Sequence, residues 1–208
     1  KEFDLPPQCL TLEITETAAV THMDQANDQI SQLRQQGVEV ALDDFGTGFS
    51  SLNMTDERNA GKTIDDPHWW HSVANVQKAA KIVRGKARMR GAVACAFGCP
   101  FEGEVPVEAA MRVIDGYAEL GFDALTLGDT TGMATPRNVA QLVHAIRTRY
   151  PDLPIALHFH NTRGVGLANV MVGLDLGIRE FESSIAGLGG CPFAPGATGN
   201  ICTEDLVY

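Results

Sequence analysis

Apolar positions along the chain fall into two alternating patterns. Short β-branched or apolar runs read as buried strands: CLTLEITET (9–17), VEVALDDF (38–45), RMRGAVACAF (88–97), ALTLGDT (124–130), PIALHFHNT (154–162) and REFESSIAGL (179–188). Between them, residues 22–36, 67–84, 106–120, 136–149 and 163–177 carry apolar positions at helical spacing, several followed by a glycine suited to a helix C-cap. Strand and helix in regular alternation imply an α/β protein with a parallel sheet. The expected fold is a partial or chimeric (βα) TIM-barrel-like arrangement of about six parallel strands with intervening helices, fewer strands than a closed barrel takes. A further helix should begin at the final TEDLVY.

Polar residues gather where these strands end: Glu13, Glu16, Asp43, Asp44, Asp129, His158 and His160. A βα barrel builds its site at that end of its strands. His158 and His160 are two apart on one strand, so both imidazoles leave the same face and can reach one ion. Glu13, Asp43 and Asp44 are hard carboxylates at adjacent strand ends, suited to Mg²⁺ or Mn²⁺ and an activated water; plain strand-end carboxylates are the alternative. Cys191 lies in GLGGCPFAPGATGN, a glycine-rich loop of the kind that closes over a site, with a buried thiol as its structural alternative. Asp129 ends LTLGD, where it either serves the site or caps the following TTGMATP turn.

Composition narrows the partners. The formal net charge is −10 and no basic stripe is visible, which speaks against nucleic acid and for a small molecule. With 44% hydrophobic residues in 208, one substantial core in one domain is the default. No run approaches the ~18 apolar residues of a membrane span, and KEFDLPPQCL lacks a signal-peptide pattern, so the expected location is cytoplasmic. Five cysteines at irregular spacing fit reduced thiols better than a disulfide framework.

Two resemblances sharpen this picture. LTLEITET followed by LRQQGVEVALDDFGTGFSSLNM resembles a stretch of the EAL-domain cyclic-di-GMP phosphodiesterases over residues 1–54. That resemblance implies that Glu13, Asp43 and Asp44 bind divalent metal and that Glu16 braces the DFGTGFSS loop. From Thr55 onward, GAVACAFGCPFEGEV, LTLGDTTGMATP, ALHFHNTRGVGLANV and SSIAGLGGCPFAPGATGNICTEDLVY resemble the C-terminal part of 3-hydroxy-3-methylglutaryl-CoA lyase and its close bacterial relatives. This second resemblance implies an acyl-CoA substrate, with His158, His160 and Asn200 as ligands of Mg²⁺ or Mn²⁺. It also implies that His158 shuttles a proton, that Cys191 acts as a catalytic acid or base, and that Asp129 orients the acyl-CoA or the metal shell. Cys95 and Cys99 become barrel-wall residues, and Cys202 receives no role.

The implied reaction is divalent-metal-dependent cleavage of a 3-hydroxyacyl-CoA to acetyl-CoA and a keto acid. In the lyases the first strand supplies an arginine for the enolate oxygen and an aspartate for the metal. No such pair precedes His158 here apart from Asp43 and Asp44, so turnover is expected to be impaired or absent. The segments 1–54 and 55–208 would meet near Met54 and Thr55 and together form one domain. Two other readings stay open: a non-catalytic chimeric or engineered TIM-barrel scaffold, and a cyclic-di-GMP phosphodiesterase or binding fragment. Unpaired strand edges would favour a homo-oligomer.

Overall fold

The computed structural model describes residues 6–15, 23–43, 80–81, 84, 88–190 and 199–208. Backbone contacts divide the chain into two compact units, Lys1–Val76 and Gln77–Tyr208. The expected junction at Met54 and Thr55 lies outside the described residues.

In the first unit, β1 (Thr11–Thr15) and β2 (Glu39–Asp43) pair in parallel, Thr11 against Glu39 through Thr15 against Asp43, with α1 (Met23–Gln35) between them in sequence. Gly37 ends this helix. At φ +88 it occupies the left-handed region, its N–H bonds the Arg34 carbonyl at 3.0 Å, and the Val38 N–H reaches back to Leu33 O at 3.1 Å. That pair of bonds is the Schellman closure, which the glycine makes cheap.

The second unit holds β3 (Arg90–Val93), β4 (Ala124–Asp129), β5 (Ile155–Phe159) and β6 (Glu180–Glu182), all parallel and side by side in sequence order. Helices α2 (Val107–Glu119), α3 (Pro136–Arg149) and α4 (Gly166–Asp175) supply the crossovers, as in an arc of a βα barrel. Pleat alternation separates two sets of side chains. Val93, Leu125, Leu127, Ile155, Leu157 and Phe159 join Ile114, Leu142, Val143, Ile146 and Val170 of the helices in one buried core. The other set, Ala92, Thr126, Ala156, His158 and Glu182, is small or polar.

Local chemistry fixes the start of α3. Thr135 accepts the Asn138 N–H on its hydroxyl, the Asn138 side chain accepts the Thr135 N–H at 2.7 Å, and Pro136 takes the first turn, where no donor is needed. We expect Thr135→Ala to cost ~1 kcal/mol in urea unfolding, the usual worth of such a cap; an unchanged midpoint would show that the box contributes nothing.

Two expected strands are shorter than their apolar runs. β3 stops at Val93 because Cys95 takes φ 54 and gives its N–H to Thr130 Oγ1 at 3.1 Å, while the Ala96 N–H turns to Gly128 O at 2.9 Å. β6 stops at Glu182, and Ile185–Gly187 forms a single 3₁₀ turn with Ala186 at φ 54. The expected C-terminal helix is present as α5 (Thr203–Val207). Among the described residues, no helix is long and apolar enough to cross a membrane.

Candidate functional site

The end of β5 brings His158 and His160 together, with ring centroids 5.2 Å apart. His160 is buried and His158 half-buried. His158 Nδ1 lies 3.0 Å from Glu182 Oε2, and the other oxygen of that carboxylate accepts the Thr126 hydroxyl at 2.7 Å. Burial pushes the Glu182 carboxyl up, but the bonds from His158 and Thr126 and the charges of His158 and Arg90 outweigh it and hold the group below its ordinary range. Arg90 on β3 also forms an ion pair with Glu180 on β6.

Asn200 reaches the histidines through main-chain pairing. His160 and Asn200 form an antiparallel bridge, flanked by Asn161 N–H to Gly199 O and Ile201 N–H to Phe159 O, each 3.0 Å. The Asn200 amide donates from Nδ2 to Leu188 O at 2.9 Å, which fixes the direction of its oxygen. Gly189 lets the chain pass this close: at φ +95, a Cβ there would stand 2.7 Å from Asn200 Nδ2. Asn200 Oδ1 is buried and has no hydrogen-bond partner among the described residues.

That bare oxygen is the test of whether a cation fits. A buried amide oxygen without a donor is costly, and a divalent ion satisfies it. No three His, Cys, Asp or Glu side chains among the described residues gather closely enough to hold a metal by themselves. His158, His160 and Asn200 offer two imidazoles and one neutral oxygen, donor types that could hold Mg²⁺ or Mn²⁺.

Asp129 belongs to the other pleat set, paired with Phe159. Its Oδ1 accepts the N–H groups of Met133 at 2.7 Å and Ala134 at 2.9 Å, tying the TTGMATP turn, while Oδ2 is buried without a partner among the described residues. Burial pushes this carboxyl up to about 6, against the two backbone bonds and the charges of Arg163 and His158. Arg163 braces the same turn from Nη1, to Thr131 O at 2.7 Å and Gly132 O at 3.0 Å. The structural alternative read for Asp129 is thus the one its hydrogen bonds express.

The remaining candidates are scattered. Glu13 is exposed on β1, and Asp43 is placed by its backbone pairing with Thr15. Glu16, Asp44 and Cys191 lie outside the described residues. Cys95 and Cys99 are half-buried in the turn after β3, and the Cys202 thiol bonds Glu204 Oε2 at 2.8 Å. Glu182 was not among the sequence candidates. Its importance comes from standing opposite His158 in the register, a strand adjacency that the sequence does not show.

Comparison with known proteins gives the family of the chain. An EAL domain profile matches residues 1–84, and the HMGL-like profile matches residues 61–208. A hydroxymethylglutaryl-CoA lyase of Bacillus subtilis is 41% identical over 179 residues, covering 84% of this chain and 58% of the relative. An (R)-citramalyl-CoA lyase of Chloroflexus aurantiacus is 47% identical over 117 residues, covering 56% of this chain and 37% of that one. The solved structure of an HMG-CoA lyase from Acinetobacter baumannii, in complex with coenzyme A and 3-methylmalate, is 47% identical with a TM-score of 0.63, covering 66% of this chain and 45% of that chain. The 208 residues thus span only part of the length of the proteins they match. With the family profile covering well over half of its residues, the chain belongs to the HMGL-like family.

Proposed function

We propose that the Gln77–Tyr208 unit carries the metal-holding part of a lyase that cleaves a carbon–carbon bond in a 3-hydroxyacyl-CoA, giving acetyl-CoA and a keto acid. The observation that carries this reading is Asn200 Oδ1, buried and unpartnered among the described residues, beside His158 and His160. These three residues would hold Mg²⁺ or Mn²⁺. When bound, such an ion polarises the hydroxyl and carbonyl oxygens of the substrate. His158 takes the hydroxyl proton as the carbon–carbon bond breaks and the keto acid carbonyl forms. Cys191 returns a proton to the carbon of the departing acetyl-CoA enolate. Asp129 holds the TTGMATP turn that borders the site, through Met133 and Ala134.

The lyases add an arginine and an aspartate from their first barrel strand, and no such pair precedes His158 within these 208 residues. As the chain stands, three donors make an incomplete shell. Metal binding should be weak and turnover impaired or absent, because losing one donor to a developing oxyanion alone costs roughly 100-fold or more. A second reading is a non-catalytic chimeric barrel scaffold that still holds the ion. The EAL domain match to residues 1–84 favours it, since it marks a stretch of different resemblance ahead of the HMGL-like one.

Mn²⁺ titration combined with a coupled assay for acetoacetate release from 3-hydroxy-3-methylglutaryl-CoA tests these readings. Binding of one ion with slow acetoacetate release supports the lyase, and binding without release supports the scaffold. Absence of Mn²⁺ binding into the millimolar range would remove the metal centre and both readings with it.

A further inference from the structure

We propose that Glu182, seated by Thr126, is a positioning residue that holds His158 in its Nδ1–H form, which makes Nε2 the ring nitrogen with the acceptor lone pair toward a cation or a substrate proton. The inference rests on the reading of His158 as a working residue of the site, and it deepens that reading.

The sheet geometry carries it. Thr126 stands on β4 and Glu182 on β6, with β5 between them. Thr126 pairs with Ala156, and Glu182 pairs with His158, one pleat further along β5. Neighbouring strands are ~4.8 Å apart, so a side chain joining β6 to β4 must cross the whole width of β5. The residue it crosses is Ala156, whose methyl group leaves the passage open. The Glu182 carboxylate makes the crossing, with Oε1 2.7 Å from Thr126 Oγ1 and Oε2 3.0 Å from His158 Nδ1. One pleat toward the start of the strands, the Arg90–Glu180 pair makes a parallel crossing and leaves Glu182 to Thr126 and His158.

The proton inventory then determines the tautomer. An ionised carboxylate only accepts, and Thr126 gives its single hydroxyl hydrogen to Oε1. The hydrogen between Oε2 and His158 must therefore sit on Nδ1. In a neutral imidazole the other nitrogen, Nε2, is left as the acceptor. A carboxylate behind a ligating histidine fixes ring orientation and strengthens the ligand, and losing such a partner typically lowers metal affinity by ~10–100-fold. The same tautomer gives Nε2 the lone pair that a proton from a substrate hydroxyl would need.

Long-range ¹H–¹⁵N correlation spectra of the labelled full chain without metal, at mildly alkaline pH, read the tautomer directly. The expected result is a protonated Nδ1 and an unprotonated Nε2 at His158. The reverse pattern, or a ring protonated on both nitrogens, overturns the proposal. Glu182→Gln and Glu182→Ala should lose the Nδ1–H form and raise the Mn²⁺ dissociation constant ~10–100-fold, with partial recovery in Glu182→Asp. A merely structural salt link would lower thermal stability in these variants while leaving the tautomer and the Mn²⁺ constant as in the wild type, and that outcome also overturns it. Should the Glu182 variants fail to fold, Thr126→Val asks the same question while keeping the carboxylate, and the wild-type spectrum needs no variant. If the wild-type chain binds no Mn²⁺, the metal-centre reading falls, and the tautomer still decides the role of Glu182.

Discussion

Asp129→Ala should destabilise the second unit by ~3 kcal/mol at neutral pH, whereas Asp129→Asn should leave it nearly as stable as the wild type or more so. Asp129 is fully buried and satisfies two backbone donors, Met133 N–H and Ala134 N–H. Alanine removes the acceptor for both, and a buried donor left without a partner costs about 1–3 kcal/mol. Asparagine keeps an oxygen in that position and removes a charge that burial disfavours. The pH dependence separates the two effects. The Asp129 carboxyl is raised from 3.8 to about 6, so folding favours its protonated form. The stability this residue contributes is fully present below the unfolded value and declines as pH rises through about 6. Roughly two pH units at ~1.4 kcal/mol each give a decline of ~3 kcal/mol between about pH 4 and pH 7. Urea unfolding of wild type and Asp129→Asn across that range should show the variant gaining on the wild type by up to this amount. A difference that stays flat with pH would mean that Asp129 is ionised throughout.

The second large effect concerns the metal. His160→Ala should weaken Mn²⁺ binding by at least about 100-fold, which for three donors amounts to abolishing it. His160 is buried and bridged through its backbone to Asn200, so its removal leaves two donors and an opening for water. Asn200→Ala should have nearly the same effect on binding, since it deletes a buried oxygen beside His160 that lacks a hydrogen-bond partner among the described residues. Calorimetric titration of the two variants checks this; an Mn²⁺ constant unchanged in His160→Ala would place the ion elsewhere.

What was legible in the sequence was local. The helix expected over 136–149 has those bounds, because Thr135, Pro136 and Asn138 define its start within four residues. The end of α1 was equally plain in Gly37. The facing of His158 and His160 follows from a two-residue period, which needs no knowledge of the fold. The failures came where an apolar run continued into a turn. Cys95 and Ala186 adopt positive φ without being glycine, so nothing in the composition of RMRGAVACAF or REFESSIAGL marked the place where the strand stops. Glu182 was illegible for another reason: its value depends on which strand lies beside β5, a contact between residues 24 positions apart. The double reading of Asp129 stayed open because the TTGMATP turn must be folded before its N–H groups converge on one oxygen.

Pulsed EPR of the Mn²⁺-loaded chain tests the central claim, that His158, His160 and Asn200 share one cation. Electron spin echo modulation detects the nitrogen of each imidazole bound to the ion. The expected spectrum contains two histidine nitrogens, and the bound-ion signal is lost in His160→Ala. A spectrum with no histidine nitrogen, from an ion held by carboxylates and water alone, would contradict the account.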